Sequence, residues 1–134
     1  MEEIDDPGTT RDLNEITYKI NGAVFEVSRC LGAGFLEKVY ENALTLELRE
    51  QGLQVLSQTP LLVNYKGETV GEYFPDLLVE GQVIVEIKAV ERLHPIHTAQ
   101  ILNYLKATAV PIGLLVNFVH PKAIIKRYVN KFSG

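Results

Sequence analysis

The fold of this chain is decided by residues 72–90, which read EYFPDLLVEGQVIVEIKAV. Apolar and β-branched residues dominate on both sides of Glu80-Gly81-Gln82, and a glycine between two such runs is typical of a tight turn. The stretch therefore predicts a hairpin of two strands, Glu72–Val79 and Val83–Val90.

This hairpin would bring two carboxylates together. In the register centred on Gly81, Asp76 lies directly across from Glu86, and Lys88 shares their face. Residues opposite each other on antiparallel strands have Cβ atoms roughly 4.5–5.5 Å apart, and like charges so placed destabilise a sheet. Because the second strand is otherwise apolar, its charged groups need to be paired, neutralised or bound to a metal. The pattern predicts a divalent-metal site, and oxygen ligands of this kind suit Mg²⁺ or Mn²⁺.

The residues alone leave two alternatives open. A two-residue turn at Glu80-Gly81 would place Asp76 opposite Val85 and send the two carboxylates to opposite faces. An Asp near one strand and a Glu-x-Lys in the next also recur by chance, so Glu86 and Lys88 could instead form a solvated stripe.

Length and composition are those of an ordinary globular protein. The chain has 134 residues, 46% of them hydrophobic and 22% charged, which fits one domain with a sizeable core. No apolar run is long enough to cross a bilayer and the acidic N-terminus does not resemble a signal peptide, so we expect a cytoplasmic protein without membrane contact. The formal charge of −4 argues mildly against binding nucleic acid by overall charge. Cys30, the single cysteine, is expected to be a buried, inert thiol.

The remaining elements follow from hydrophobic periodicity and from Gly and Pro positions. We expect an α/β (α+β-like) fold with a mixed sheet, because each amphipathic helix must cover an apolar sheet face. The strands on either side of the third helix are expected to run parallel through a right-handed crossover. In chain order the predicted elements are a helix over Leu13–Leu31, a helix from Phe35 to about Gln51, strands over Pro60–Lys66, Glu72–Val79 and Val83–Val90, a helix over Pro95–Thr108, and strands over Ile112–Phe118 and Ala123–Val129.

Two helical segments carry further polar groups. Glu37 falls one helical turn before Tyr40, so both lie on one face. In the third helix, His97, Gln100 and Tyr104 also share a face, which could look onto the hairpin carboxylates. Dispersed histidines such as His94, His97 and His120 do not make a convincing ligand set, and His97 is a candidate substrate contact.

Taken together, these motifs resemble the GxxExxY family, a branch of the PD-(D/E)xK nuclease superfamily. The resemblance covers roughly Leu13 to Val129, with the motifs in the family's order. The matching residues are Gly34, Glu37 and Tyr40 for the name motif, Tyr73–Val79 for the Asp strand, Glu86-Ile87-Lys88 for E-x-K, and Gln100 with Tyr104 for Q-x-x-x-Y.

The resemblance implies a restriction-endonuclease-like core: helices, three antiparallel strands, a helix, and one or two further strands. It also implies that residues 13–134 form a single nuclease-like domain, and we expect the acidic residues 1–12 to be disordered.

The resemblance further implies metal-dependent cleavage of phosphodiester bonds. Asp76 and Glu86 would bind Mg²⁺, or Mn²⁺ as a substitute, with the Ile87 carbonyl as a further ligand. Glu37 would complete or orient the metal shell. Lys88 would orient or activate the attacking water, and Gln100 and Tyr104 would position substrate phosphate or nearby water. The metal would lower the pKa of bound water and stabilise charge on phosphoryl oxygens.

The leading hypothesis is thus a Mg²⁺-dependent nuclease acting on nucleic acid, with DNA expected as the substrate. The alternative is a catalytically inactive binding or regulatory module that keeps the nuclease fold, because fold does not imply function. A weaker option is a hydrolase of another phosphate ester. A homodimer or a protein partner could supply the substrate-binding surface that the chain lacks.

Overall fold

The computed structural model describes residues 12–119 and 121–131. Its elements follow the expected order of helices, strands, helix and strands. They are α1 Leu13–Leu31, α2 Glu37–Glu50, β1 Val55–Ser57, β2 Leu61–Tyr65, β3 Glu68–Tyr73, β4 Leu77–Val79, β5 Val83–Lys88, α3 Pro95–Thr108, β6 Ile112–Asn117 and β7 Ile124–Val129.

Within the described residues, the main sheet has five strands in the order β1-β4-β5-β6-β7. The β5–β6 pair is parallel and the other pairs are antiparallel. Since α3 lies between β5 and β6 in the chain, it is the crossover connection that parallel neighbours require. The mixed α/β architecture and the parallel crossover are as the sequence predicts.

The antiparallel part of the sheet differs from the prediction in one strand. Three strands of the main sheet precede α3 in the chain and pair antiparallel, as predicted. The first of them is β1, whereas the sequence predicted Pro60–Lys66. The predicted strand Glu72–Val79 is divided, with its first residues in β3 and its last in β4. Pro75 lies at the break, where a residue without an N–H cannot continue a hydrogen-bonded ladder. As a result, β2 and β3 pair with each other in a separate two-stranded sheet.

Both faces of the main sheet are covered. The helices α1 and α2 pack on one face, where Ile20, Leu44, Val85 and Ile87 share a buried cluster. The opposite face meets α3 and the β2–β3 hairpin through a second cluster that includes Ile84. This two-sided burial explains why β5 is apolar at nearly every position.

The third helix sits close to β6 at Gly113. A Cβ built on this glycine would lie 2.9 Å from Ile101 Cδ1 and 3.3 Å from Leu105 Cδ1. Only hydrogen occupies that space in a glycine, so α3 can approach the strand closely. This approach fixes the depth at which α3 lies over the sheet.

The start of α1 is capped by Asp12, whose side chain accepts a hydrogen bond from the Asn14 N–H at 2.8 Å. The disorder expected for residues 1–12 concerns, apart from Asp12, residues outside those described. The prediction of a buried Cys30 is wrong: the thiol is exposed and lies 3.4 Å from Glu26 Oε2. Among the described residues, no helix is both long enough and apolar enough to span a membrane.

Candidate active site

The two hairpin carboxylates meet just beyond the end of the β4–β5 ladder. Leu77 pairs with Val85, so the next position in the same register sets Asp76 against Glu86. The register centred on Gly81 is therefore confirmed, and the alternative pairing of Asp76 with Val85 is excluded. Glu80 and Gly81 both have positive φ, at 54° and 65°, as a tight turn of this kind demands.

Each carboxylate accepts a hydrogen bond from the main chain of the opposing strand. The Asp76 N–H donates to Glu86 Oε2 at 2.8 Å, and the Ile87 N–H donates to Asp76 Oδ2 at 2.7 Å. These bonds link the segment after Pro75 to β5 beyond the last ladder pair, Leu77 and Val85. They hold both carboxylates by one oxygen each and keep them close together.

The fold makes both groups harder to ionise than free carboxyls. Burial, and then the neighbouring charge of Asp76, raise the pKa of Glu86 to about 7. Burial raises the pKa of Asp76 as well, and the charge of Glu41 adds to this effect, against the lowering influence of the Ile87 N–H. A pair of carboxyls with raised pKa values is a common property of functional sites, and a bound cation would remove the repulsion.

Lys88 lies two residues after Glu86 in β5, half-buried, and on the same side of the strand because side chains alternate. Its positive charge lowers the pKa of both Asp76 and Glu86, so it lies near the pair. Within the parts of the chain that the structure describes, Lys88 makes no direct ion pair. Its ammonium is therefore available to a group between the carboxylates and α3.

The helical carboxylate that approaches this site is Glu41, which the sequence analysis did not select. Glu41 is 4% exposed and accepts hydrogen bonds from Ser57 Oγ at 2.8 Å and Lys38 Nζ at 3.1 Å. One signal in the sequence could have revealed it: its spacing of three and seven residues from the buried Leu44 and Leu48 puts it on the apolar stripe of α2.

Glu37 is not brought to the carboxylate pair. It is exposed at the first position of α2, and its charge is not among the causes of the shifted pKa values at Asp76 or Glu86. The physical reason is the position of each residue along α2. Glu37 lies at the exposed start of the helix, whereas Glu41, one turn later, lies on the buried face of α2 and contacts Ser57 and Gln58 at the end of β1.

Tyr40, the last residue of the name motif, has a structural contact set. Its hydroxyl donates to the Gly32 carbonyl at 2.6 Å and accepts from the Phe35 N–H at 3.2 Å, while its ring stacks on Phe118 with centroids 4.4 Å apart. These bonds shape the turn between α1 and α2. Gly34 lies in that turn with φ of 110°, a conformation that favours glycine.

The Q-x-x-x-Y residues of α3 lie at different depths. Gln100 is exposed, whereas Tyr104 is half-buried and stacks on Tyr73 with ring centroids 3.5 Å apart. The buried Tyr73 hydroxyl makes no hydrogen bond of normal geometry within the described residues, yet it is near enough to lower the pKa of Glu86. Tyr104 therefore contacts Tyr73, and Tyr73 is the residue that lies beside Glu86.

The histidines of α3 cap its N-terminus. His94 Nδ1 accepts from the Ile96 N–H at 3.0 Å, and His97 Nδ1 accepts from the His94 N–H at 3.2 Å. Burial, and then the charges of Lys88 and His94, lower the pKa of His97. His120 lies outside the described residues.

The donor set fits a cation that needs few protein ligands. In residues 12–119 and 121–131, no group of three or more His, Cys, Asp and Glu side chains is gathered closely enough to hold a metal ion. Mg²⁺, however, is usually bound by one or two carboxylates together with waters and substrate phosphates. Asp76 and Glu86 match that requirement.

Comparison with known proteins agrees with this geometry. A sequence profile described as the PD-(D/E)XK nuclease superfamily matches residues 14–128. The chain belongs to the PD-(D/E)XK nuclease superfamily. Nucleases of this superfamily generally use divalent metals. The narrower assignment to the GxxExxY branch stays a prediction.

Solved structures share the fold at low sequence identity. The crystal structure of SSO0001 matches with a TM-score of 0.54 and 17% sequence identity. The match covers 88% of this chain and 57% of that protein. An alkaline exonuclease (LHK-Exo) from Laribacter hongkongensis matches with a TM-score of 0.48 and 13% identity, over 91% of this chain and 72% of its own. No curated protein matches the sequence significantly. The first likeness supports the restriction-endonuclease-like core.

Proposed function

We propose that this protein is a metal-dependent nuclease that hydrolyses phosphodiester bonds, with DNA as the substrate and Mg²⁺ as the metal. The observation that carries the proposal is the pair Asp76 and Glu86, held against each other by main-chain hydrogen bonds with Lys88 beside them. In a chain of the PD-(D/E)XK superfamily, this trio corresponds to the residues that carry the chemistry.

Asp76 and Glu86 would hold the metal ion, with the main-chain carbonyl of Ile87 as a further ligand. Each carboxylate has one oxygen held by a main-chain N–H, and its oxygens keep lone pairs that can ligate a cation. When bound, Mg²⁺ would acidify a water and stabilise charge on the phosphoryl oxygens. Because ligands must be ionised, the raised pKa of Glu86 makes metal binding release protons.

Lys88 would orient the attacking water and stabilise the negative charge that develops on the phosphate. Its freedom from ion pairs among the described residues supports that role. Gln100, exposed on α3, would contact a substrate phosphate, and Tyr104 would support the site through its stack on Tyr73. A role for Glu37 in the metal shell rests on the motif resemblance alone.

The test combines metal titration with cleavage assays. Wild type, Asp76→Asn, Glu86→Gln and Lys88→Met are titrated with Mg²⁺ and Mn²⁺ by calorimetry, then incubated with single-stranded, duplex and branched DNA and with RNA. We expect wild type to bind metal and cut DNA, and the three variants to lose cleavage by roughly a hundredfold or more.

Glu50→Gln is the matched control, since Glu50 is an exposed carboxylate at the end of α2. It should behave as wild type. Undiminished cleavage by Asp76→Asn or Glu86→Gln would reject the assignment, and cleavage of RNA alone would reject DNA as the substrate.

A binding module without turnover is the second candidate. The net charge of −4 and the absence of a third metal-binding side chain in the described residues favour it. It predicts that the folded wild type binds nucleic acid or a protein partner but yields no cleavage product, even with Mn²⁺.

A further inference from the structure

Gln58 has an unusual backbone conformation beside the carboxylate pair. It follows the last residue of β1 and has a φ of 55°, a left-handed value that is strained for a non-glycine residue. Such strain persists only where surrounding contacts maintain it. At Gln58 those contacts include two hydrogen bonds to Asp76.

Gln58 holds Asp76 by both its main chain and its side chain. The Gln58 N–H donates to the Asp76 carbonyl at 3.2 Å, and its amide Nε2 donates to Asp76 Oδ1 at 3.3 Å. The other oxygen, Oδ2, accepts the Ile87 N–H at 2.7 Å. With both oxygens held, the Asp76 carboxylate is fixed in one orientation, although Asp76 lies outside the β4 ladder.

The same amide also faces Glu41. Nε2 of Gln58 lies 3.5 Å from Glu41 Oε1, a long contact, while Ser57 Oγ and Lys38 Nζ hold Glu41 Oε2 at 2.8 and 3.1 Å. A neutral amide donor between two carboxylates can hydrogen-bond both of them without adding charge. Glu41 is thereby a fixed support for the Gln58 side chain.

We propose that Gln58 is a positioning residue that, supported by Glu41, holds Asp76 in the orientation that binds the metal. This inference rests on the proposed function. An oxygen of a carboxylate has two lone pairs, so Asp76 Oδ1 can accept the Gln58 hydrogen bond and still ligate a cation. Residues that orient metal ligands typically change metal affinity or activity by about 10–100-fold when they are replaced.

Gln58→Gly tests the inference without loss of the fold, because glycine adopts positive φ readily. The matched control is Lys66→Gly. Lys66 has a φ of 51° and lies in the turn between β2 and β3, where its ammonium contacts the Tyr65 ring. Both variants therefore remove a side chain from the same backbone conformation.

The measurements are Mg²⁺ affinity by calorimetry, the Mg²⁺ concentration for half-maximal cleavage, and KM for nucleic acid. For Gln58→Gly we expect Mg²⁺ affinity to fall by about 10–100-fold, with a matching rise in the Mg²⁺ requirement and an unchanged KM. Lys66→Gly should match wild type in all three. In the double variant Glu41→Gln/Gln58→Gly, the loss should be smaller than the product of the two single losses.

The outcomes separate this inference from the proposed function. If wild type binds Mg²⁺ and cleaves but Gln58→Gly has the same affinity, the positioning role is wrong and the proposed function stands. If the loss in the double variant equals the product of the two single losses, Glu41 does not support Gln58, and that part of the inference is wrong. A folded wild type that neither binds metal nor cleaves would overturn both proposals.

Discussion

Glu86 carries a charge that its surroundings disfavour. It occupies β5 between the buried residues Val85 and Ile87, and Asp76 lies across from it on the neighbouring chain segment. The hydrogen bond from the Asp76 N–H and the charge of Lys88 offset part of this cost, but burial dominates and raises the pKa to about 7. The site therefore lowers the stability of the metal-free protein at neutral pH.

This cost predicts a pH-dependent stability. The pKa of Glu86 rises from 4.5 to about 7 on folding, so the folded protein binds the proton more tightly. The corresponding stability is present below pH 4.5 and is lost as the pH rises through 7. We expect Glu86 to lower the free energy of unfolding by up to about 3 kcal/mol across this range.

Urea unfolding of wild type and Glu86→Gln in EDTA, between pH 4.5 and 8, measures this difference. The Gln side chain can still accept the Asp76 N–H hydrogen bond but does not titrate. Its stability relative to wild type should increase with pH. A difference that stays constant with pH would show that Glu86 ionises as freely as an exposed carboxyl.

At the scale of elements, the position of α3 over the sheet depends on one small residue. Gly113 in β6 leaves space that Ile101 and Leu105 of α3 occupy. The same helix carries Gln100 and Tyr104, so the depth of this contact sets how near those side chains lie to Lys88 and the carboxylates.

Gly113→Ala should push α3 away from β6. A methyl group would meet Ile101 Cγ1 at 3.0 Å, and overpacking of this kind typically costs about 1–3 kcal/mol. Chemical denaturation measures the loss. Gly71→Ala in β3 is the control, because nothing lies within 4 Å of its Cβ position. Adding Ile101→Val should restore part of the loss, and equal stabilities of the two alanine variants would contradict the close approach.

For the molecule as a whole, metal binding and stability should be linked. A ligand that binds only the folded state stabilises it by about 2.7 kcal/mol at a concentration of 100 Kd. In the proposed site, attraction of the cation to Asp76 and Glu86 and relief of their mutual repulsion would supply that binding energy. The effect should be larger at pH 8 than at pH 6, since the ligands must be ionised.

Thermal unfolding with and without Mg²⁺ checks this linkage. We expect the wild-type midpoint to rise by on the order of 5–10 °C at saturating metal, and the midpoint of Asp76→Asn to stay unchanged. Potassium chloride at equal ionic strength controls for screening of the net charge. An equal rise in both proteins would place the metal elsewhere.

Local pattern was enough to predict the three helices and the central hairpin. The helix α3 was predicted at its observed bounds, and so was α1, because their apolar spacing and terminal Gly and Pro residues are properties of neighbouring positions. The register of β4 and β5 was one of two that a turn at Gly81 allowed, and the structure adopts the one centred on Gly81.

The surroundings of that hairpin depended on contacts between distant parts of the chain. Gln58 and Asp76 are 18 positions apart, and Glu41 and Gln58 are 17 apart, so no local period relates them. The strand pairing likewise depends on distant contacts. Pro75 separates β3 from β4, so β1 pairs with β4 in the main sheet and β2 pairs with β3 outside it.

The sequence by itself thus determined the helices and narrowed the central hairpin to two registers, one of which sets Asp76 opposite Glu86, because these features arise from the period and turn chemistry of adjacent residues. Only the tertiary structure decided which register forms, that Glu41 and not Glu37 approaches Asp76, that Gln58 lies between them, and that Tyr104 stacks on Tyr73. Those choices depend on how α2, β1 and α3 pack around the end of one strand pair, and packing is a property of the whole fold.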